Sequence, residues 1–376
     1  MTGKERIHAA LEGRPVDRMP AAVLYSQLYH LDHFEELTGL PPAQAIQWLH
    51  ASPEDHLDTY KMMLEKAPFE ILQPQGAPSR GARESIALIE KDGELFMHDK
   101  KNATLTRVVA DTVSGHATDY RASETQYVFD KRDVAEKVKF PTAEEIIASG
   151  ANDYLEAVVA SLGRDHFILS GGVVGMLYGC GEYVGQTNLF AMLIQQPDLV
   201  ECLCERILER NIEVIRALAA AGGDAIYIDD ATATSDMISV AHYERFCLPY
   251  MKEMVREIHS LGQKAVIIYF GGIADRLEQI ASVGADGLSM ETSMKGYVND
   301  IGEIARAIGD RVSLFGNIDP VGVLQKGTGA QLEAEVHRQA AAGRAARGFI
   351  MCTGSPITPA TPVARVRRFI ELGQNA

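Results

Sequence analysis

The sequence predicts an α/β chain folded as a (β/α)8 TIM barrel with an insertion between strands 2 and 3. Two observations point there. Eight short apolar runs, each ending in glycine or a polar cluster, alternate with segments of helical periodicity. The length, 376 residues, suits one such barrel with extra chain. The runs are 19–25 (MPAAVLY), 69–72 (FEIL), 166–170 (HFILS), 225–228 (AIYI), 265–269 (AVIIY), 287–290 (GLSM), 312–315 (VSLF) and 349–351 (FIM). They are continuous rather than alternating, as expected of parallel strands buried on both faces. Strand ends are expected near residues 24, 72, 170, 228, 268, 290, 315 and 351. Helices are expected over 188–220, 243–261, 273–283 and 300–308, the last stopped by Gly309.

Residues 75–165 break this rhythm and are expected to lie beside the barrel mouth within a single domain, 1–376. Segments 85–90 and 94–98 flank Lys91-Asp92-Gly93, the pattern of a hairpin turn. Asn102-Ala-Thr is a formal glycosylation sequon without other signs of secretion.

Acidic residues outnumber basic ones, 51 to 36, for a net charge of -15. Such a surface is poorly matched to nucleic acid or an anionic membrane. No apolar run reaches membrane-spanning length, and the charged start, Met1 to Ile7, is unlike a signal peptide. Cysteines at 180, 202, 204, 247 and 352 are odd in number and lack framework spacing, so a reducing cytoplasm is expected.

In this fold chemistry gathers at the C-terminal ends of the strands. Those ends nominate Tyr25 to His33, Gln73 to Gly76, Gly171-Gly172, Asp229-Asp230, Tyr269, Glu291, Asn317 to Asp319 and Cys352. Successive strand side chains alternate, so one of Asp229 and Asp230 points into the mouth, and Asp230 is favoured. It would serve as proton acceptor, metal ligand or substrate anchor; a turn cap is the alternative. Glu291 and Cys352 come from different strand ends, and a carboxylate with a thiolate suits Zn²⁺. Cys352 could equally be a small buried hydrophobe. The Tyr269 hydroxyl could donate to a substrate oxygen or be an ordinary barrel aromatic. His30 and His33 are spaced to share a helix face, as ligands or as a solvated surface. Gly179, Gly181 and Gly185 lack dinucleotide-fingerprint spacing.

The chain resembles the uroporphyrinogen decarboxylase superfamily, and within it the corrinoid-dependent methyltransferase branch. Residues 4–20 (KERIHAALEGRPVDRMP) are similar to that branch's N-terminal signature. Gly316-Asn-Ile-Asp-Pro320 is similar to the family's late motif, and Ile238-Ser239, Tyr243-Glu-Arg-Phe246 and Pro249-Tyr250 resemble its helix after strand four. Gly284-Ala-Asp-Gly-Leu-Ser289 also matches. The decarboxylases of the family grip an eight-carboxylate tetrapyrrole with an arginine-rich segment, whereas here residues 25–30 read YSQLYH, without arginine. The zinc methyltransferases bind metal through His-x-Cys after strand five, and here that place reads Tyr269-Phe270-Gly271. A thiol acceptor is activated as a zinc thiolate, so losing two ligands disfavours a thiol substrate. An ether instead needs its leaving oxygen protonated or held by a Lewis acid.

The resemblance therefore implies a methyltransferase that removes a methyl group from a small methoxylated substrate, an aryl methyl ether, and passes it to the cobalt of a partner corrinoid protein. Tyr269, Asp230 and Glu291 are the expected catalytic residues. Tyr25, His30, Gln73, Asp229 and Asn317 are the expected substrate contacts, and Glu291 and Cys352 the expected zinc ligands. A homodimer is a further expectation. Alternatives are transfer from methylcorrinoid to a thiol or pterin, decarboxylation of uroporphyrinogen, and binding of a tetrapyrrole or corrinoid without turnover.

Overall fold

The structure is a computed structural model that describes residues 1–92, 94–108, 126–294 and 296–376. Its central feature is a curled sheet of seven parallel strands ordered as in the chain. These are β1 (Ile71–Leu72), β5 (Phe167–Val174), β6 (Ala225–Asp230), β7 (Lys264–Tyr269), β8 (Gly287–Met290), β9 (Ser313–Phe315) and β10 (Phe349–Ile350). Between β1 and β5 a small antiparallel sheet joins β2 (Ile86–Lys91), β3 (Glu94–Asp99) and β4 (Thr104–Arg107). The hairpin expected around 91–93 is thus the β2–β3 pair, and its Gly93 lies outside the described residues.

The expected first strand is reduced to a single parallel bridge, Ala21 to Met351. On that side the backbone pairs with the last strand: Ala22 N–H donates to Met351 O at 2.8 Å and Met351 N–H to Pro20 O at 2.9 Å. On the other side the seam to β1 is joined by side chains. Ala21 N–H donates to the Glu70 carboxylate at 3.2 Å, and Tyr25 N–H to Gln73 Oε1 at 2.6 Å. Pro20, which has no N–H, and the left-handed Tyr25 (φ 57) interrupt the extended backbone a ladder needs.

Strand parity sorts the core into two layers. Leu169, Ala225, Val266, Ile268, Phe315 and Ile350 form an inner cluster with Ala22, Leu24 and Cys352. Ile168, Ile226, Ile228, Ile267, Leu288 and Leu314, of the opposite parity, pack against the surrounding helices. Ile7, Ala10 and Leu11 of the helix Gly3–Leu11 join the inner cluster, and His8 of that helix bonds Asp224, just before β6, at 2.9 Å. The helix therefore lies under the N-terminal strand ends and leaves the C-terminal ends for the site.

Several expected boundaries are corrected. The helix expected over 188–220 is two helices, Gln186–Gln195 and Pro197–Ala220, because Pro197 starts a new helix better than it continues one. The segment 243–261 likewise splits into Val240–Phe246 and Leu248–Ser260 ahead of Pro249. Only Leu277–Ala281 of the expected 273–283 helix is helical. Gly171-Gly172 does not end a strand. It forms an irregularity inside β5, where Gly171 has φ 145 and a Cβ on Gly172 would collide with the Tyr227 ring. No helix among the described residues is long and apolar enough to cross a membrane.

Candidate active site

The parity of β6 decides which aspartate reaches the mouth. Ala225 and Tyr227 face the inner cluster, so Asp229 does too, while Asp230 falls on the helix side with Ile226 and Ile228. In β7, Val266 and Ile268 are inner residues, and the next residue of that parity is Phe270. Val174, Tyr178, Asp229, Ala231 and Phe270 line a cavity of about 220 Å³ at the C-terminal ends of β5, β6 and β7.

Tyr25 is held beside it. Its hydroxyl donates to Asp229 Oδ2 at 2.6 Å, and its ring packs on Tyr227 and Phe270 with centroids 5.9 and 5.6 Å away. A left-handed conformation is unfavourable for a tyrosine, by roughly 1–2 kcal/mol. The Gln73 side chain, anchored just past β1, fixes it by accepting the Tyr25 N–H. Gln73, Tyr25 and Asp229 thus form one chain of contacts from the β1 end to the β6 end. Removal from water pushes the Asp229 carboxyl up to about 6, against the stabilising Tyr25 hydrogen bond. A half-buried carboxyl poised there can hold or release a proton near neutrality.

The other expected site residues lie elsewhere. Asp230 is fully buried, accepts the N–H groups of Thr232 and Ala233 at 3.4 and 3.2 Å, and caps the turn after β6. Burial, and then the neighbouring Asp229 charge, push it up to about 7. Tyr269 is also fully buried on the helix side, with its hydroxyl 2.7 Å from that of Tyr243. Its placement at the mouth is corrected by strand alternation, which gives that position to Phe270. His30 is packed between Tyr60 and Phe69 in the helical layer, and burial pushes its ring down to about 3, leaving it neutral. It does not line the cavity. Asn317 ties two loops together, its amide donating to Asn299 O at 2.8 Å and its N–H to Gln339 Oε1 at 3.0 Å.

Glu291 accepts from the Tyr297 hydroxyl and, at 3.4 Å, from Ser355 Oγ. Cys352 is wholly buried in the inner cluster, and burial pushes its thiol up to about 12. Among the described residues no three His, Cys, Asp or Glu side chains come together as a metal-holding group. The side chains present therefore do not fit the expected zinc, and no chemistry is routed through it. Sequence reasoning missed Phe270 and Tyr178. Counting parity along β7 finds Phe270. Tyr178 stands on the helix Met176–Val184, within the glycine-rich segment 175–185, and no local pattern aims it at the cavity.

A family model for uroporphyrinogen decarboxylase matches residues 126–375. A methylcobamide:CoM methyltransferase, MtbA, of Methanosarcina mazei is 24% identical over 100% of this chain and 98% of its own. A uroporphyrinogen decarboxylase of Coxiella burnetii is 29% identical over 64% of this chain and 66% of its own. Among solved structures, a methyltransferase from Methanosarcina mazei superposes with a TM-score of 0.70, at 20% identity, over 100% of this chain and 99% of that one.

Proposed function

Because the chain belongs to the uroporphyrinogen decarboxylase family, we propose that it is the family's methyl-transferring kind of enzyme. It would remove the methyl group of a small aryl methyl ether and deliver it to a corrinoid carried by a partner protein. We take the whole chain as one (β/α)8 barrel domain whose first strand is reduced to a bridge, with 75–165 beside the mouth, working in a reducing cytoplasm. End-to-end similarity to a methylcobamide:CoM methyltransferase supports the methyl-transfer branch.

The observation that carries the reading is the Tyr25–Asp229 pair in a small aromatic cavity at the strand ends. The corrinoid would supply the nucleophile that takes the methyl group. A cavity of about 220 Å³ admits one substituted ring but no tetrapyrrole, so the corrinoid would approach from outside on its carrier. Asp229 would protonate the departing phenoxide oxygen, and Tyr25 would hold that carboxyl in place. The ring would lie against Phe270 and Tyr178. An octacarboxylate is disfavoured by size and by the cavity's own carboxylate. A thiol acceptor is disfavoured because Tyr269 and Gly271 stand where the resemblance places metal ligands.

Three anaerobic assays of the purified chain separate the readings. These are demethylation of 2-methoxyphenol with free cob(I)alamin, methylation of coenzyme M from methylcobalamin, and carbon dioxide release from uroporphyrinogen. The expected result is turnover in the first alone. Turnover confined to the second or third replaces the proposal with that activity.

A further inference from the structure

We infer that Asp229 makes the cavity selective by charge, so that it takes a neutral or ammonium-bearing methoxyarene and rejects one bearing a carboxylate. The inference rests on the ether-demethylating reading and names its substrate class. The described lining residues comprise one carboxylate, two aromatic side chains and two aliphatic ones, with no lysine, arginine or histidine. The nearest hydroxyl donor on Asp229, that of Tyr25, is already committed to Oδ2 at 2.6 Å and is not available to a second carboxylate. An incoming benzoate would be desolvated beside a like charge, and no cation among the described lining residues would neutralise it.

An ammonium group meets the opposite situation. It gains a charge-assisted hydrogen bond to Asp229 beside the aromatic lining of Tyr178 and Phe270, and aromatic rings attract a cation. A phenol without further charge gains neither benefit nor penalty.

Calorimetric titration of the whole chain at pH 7.5, without corrinoid, tests this with three ligands on one ring. They are 4-hydroxy-3-methoxybenzylamine, the corresponding benzyl alcohol and the corresponding benzoate. The amine is expected to bind at least as tightly as the alcohol, and the benzoate about tenfold or more weaker than the alcohol. Asp229→Asn is expected to bring all three within about threefold of one another. A salt series on the wild-type chain gives a second readout, since the spread between amine and benzoate should shrink as screening grows. Benzoate binding as tightly as the alcohol, or a spread indifferent to both the variant and salt, overturns the selectivity while leaving demethylation standing. Failure of all three ligands to bind overturns the substrate reading and the selectivity together.

Discussion

In the proposed reaction Asp229 is the residue on which the chemistry turns, and its position at the cavity distinguishes it from Asp230. Both were visible as a pair after an apolar run, but the favoured member was the wrong one for the cavity, because a turn cap and a mouth residue look alike until strand parity is counted. If Asp229 donates the proton, Asp229→Asn lowers demethylation by about 10²- to 10⁴-fold with the circular dichroism spectrum unchanged. The donor must be protonated, and its protonated fraction falls as pH rises through about 6. A pH series of kcat/KM should therefore descend above that value, by about tenfold per unit. Tyr25→Phe removes a hydrogen bond that holds the carboxyl down, so the descending limb should move to higher pH while the maximal rate falls. A limb that stays in place in this variant would mean that Tyr25 does not act through Asp229.

Alternation within strands explains both what the sequence made legible at the level of elements and what it hid. Seven of the eight apolar runs are parallel strands in chain order, because buried parallel strands leave continuous apolar tracts. The same continuity hides parity, since an all-apolar run gives no clue to which side faces inward, and Tyr269 was misplaced for that reason. Tyr269→Phe is expected to leave demethylation within about threefold of wild type. It should lower stability by about 1 kcal/mol, because the buried Tyr243 hydroxyl loses its partner, and thermal unfolding reads that loss. Gly172 follows an apolar run as a strand end would, yet it lies inside β5, where the Tyr227 ring occupies the space of its missing side chain. Gly172→Ala should destabilise by about 1–3 kcal/mol and displace a ring that packs on Tyr25, so its chemical denaturation midpoint should fall together with turnover. The first strand was legible as apolar chain but not as a bridge, since its seam is joined by Glu70 and Gln73, side chains distant in sequence.

At the scale of the molecule, the helix Gly3–Leu11 closes the N-terminal end, the inner cluster fills the space between the strands, and the cavity opens among the C-terminal strand ends. The family was legible because its motifs sit in continuous segments. The metal expectation was not secure, because ligand sets are assembled from separate strand ends whose side-chain directions a sequence does not carry. Cys352 belongs to the inner packing, so Cys352→Ala should destabilise by about 1 kcal/mol, lowering the melting temperature by about 1 °C, while demethylation persists. The most direct test of the account is a single-turnover experiment with 2-methoxyphenol carrying a ¹³C-labelled methyl group, excess chain and free cob(I)alamin, followed by NMR in wild type and Asp229→Asn. Label should leave the ring for the corrinoid with one phenolic hydroxyl gained per methyl lost, at a rate at least about 10²-fold lower in the variant. Label remaining on the ring in wild type, or equal rates in the two proteins, would contradict it.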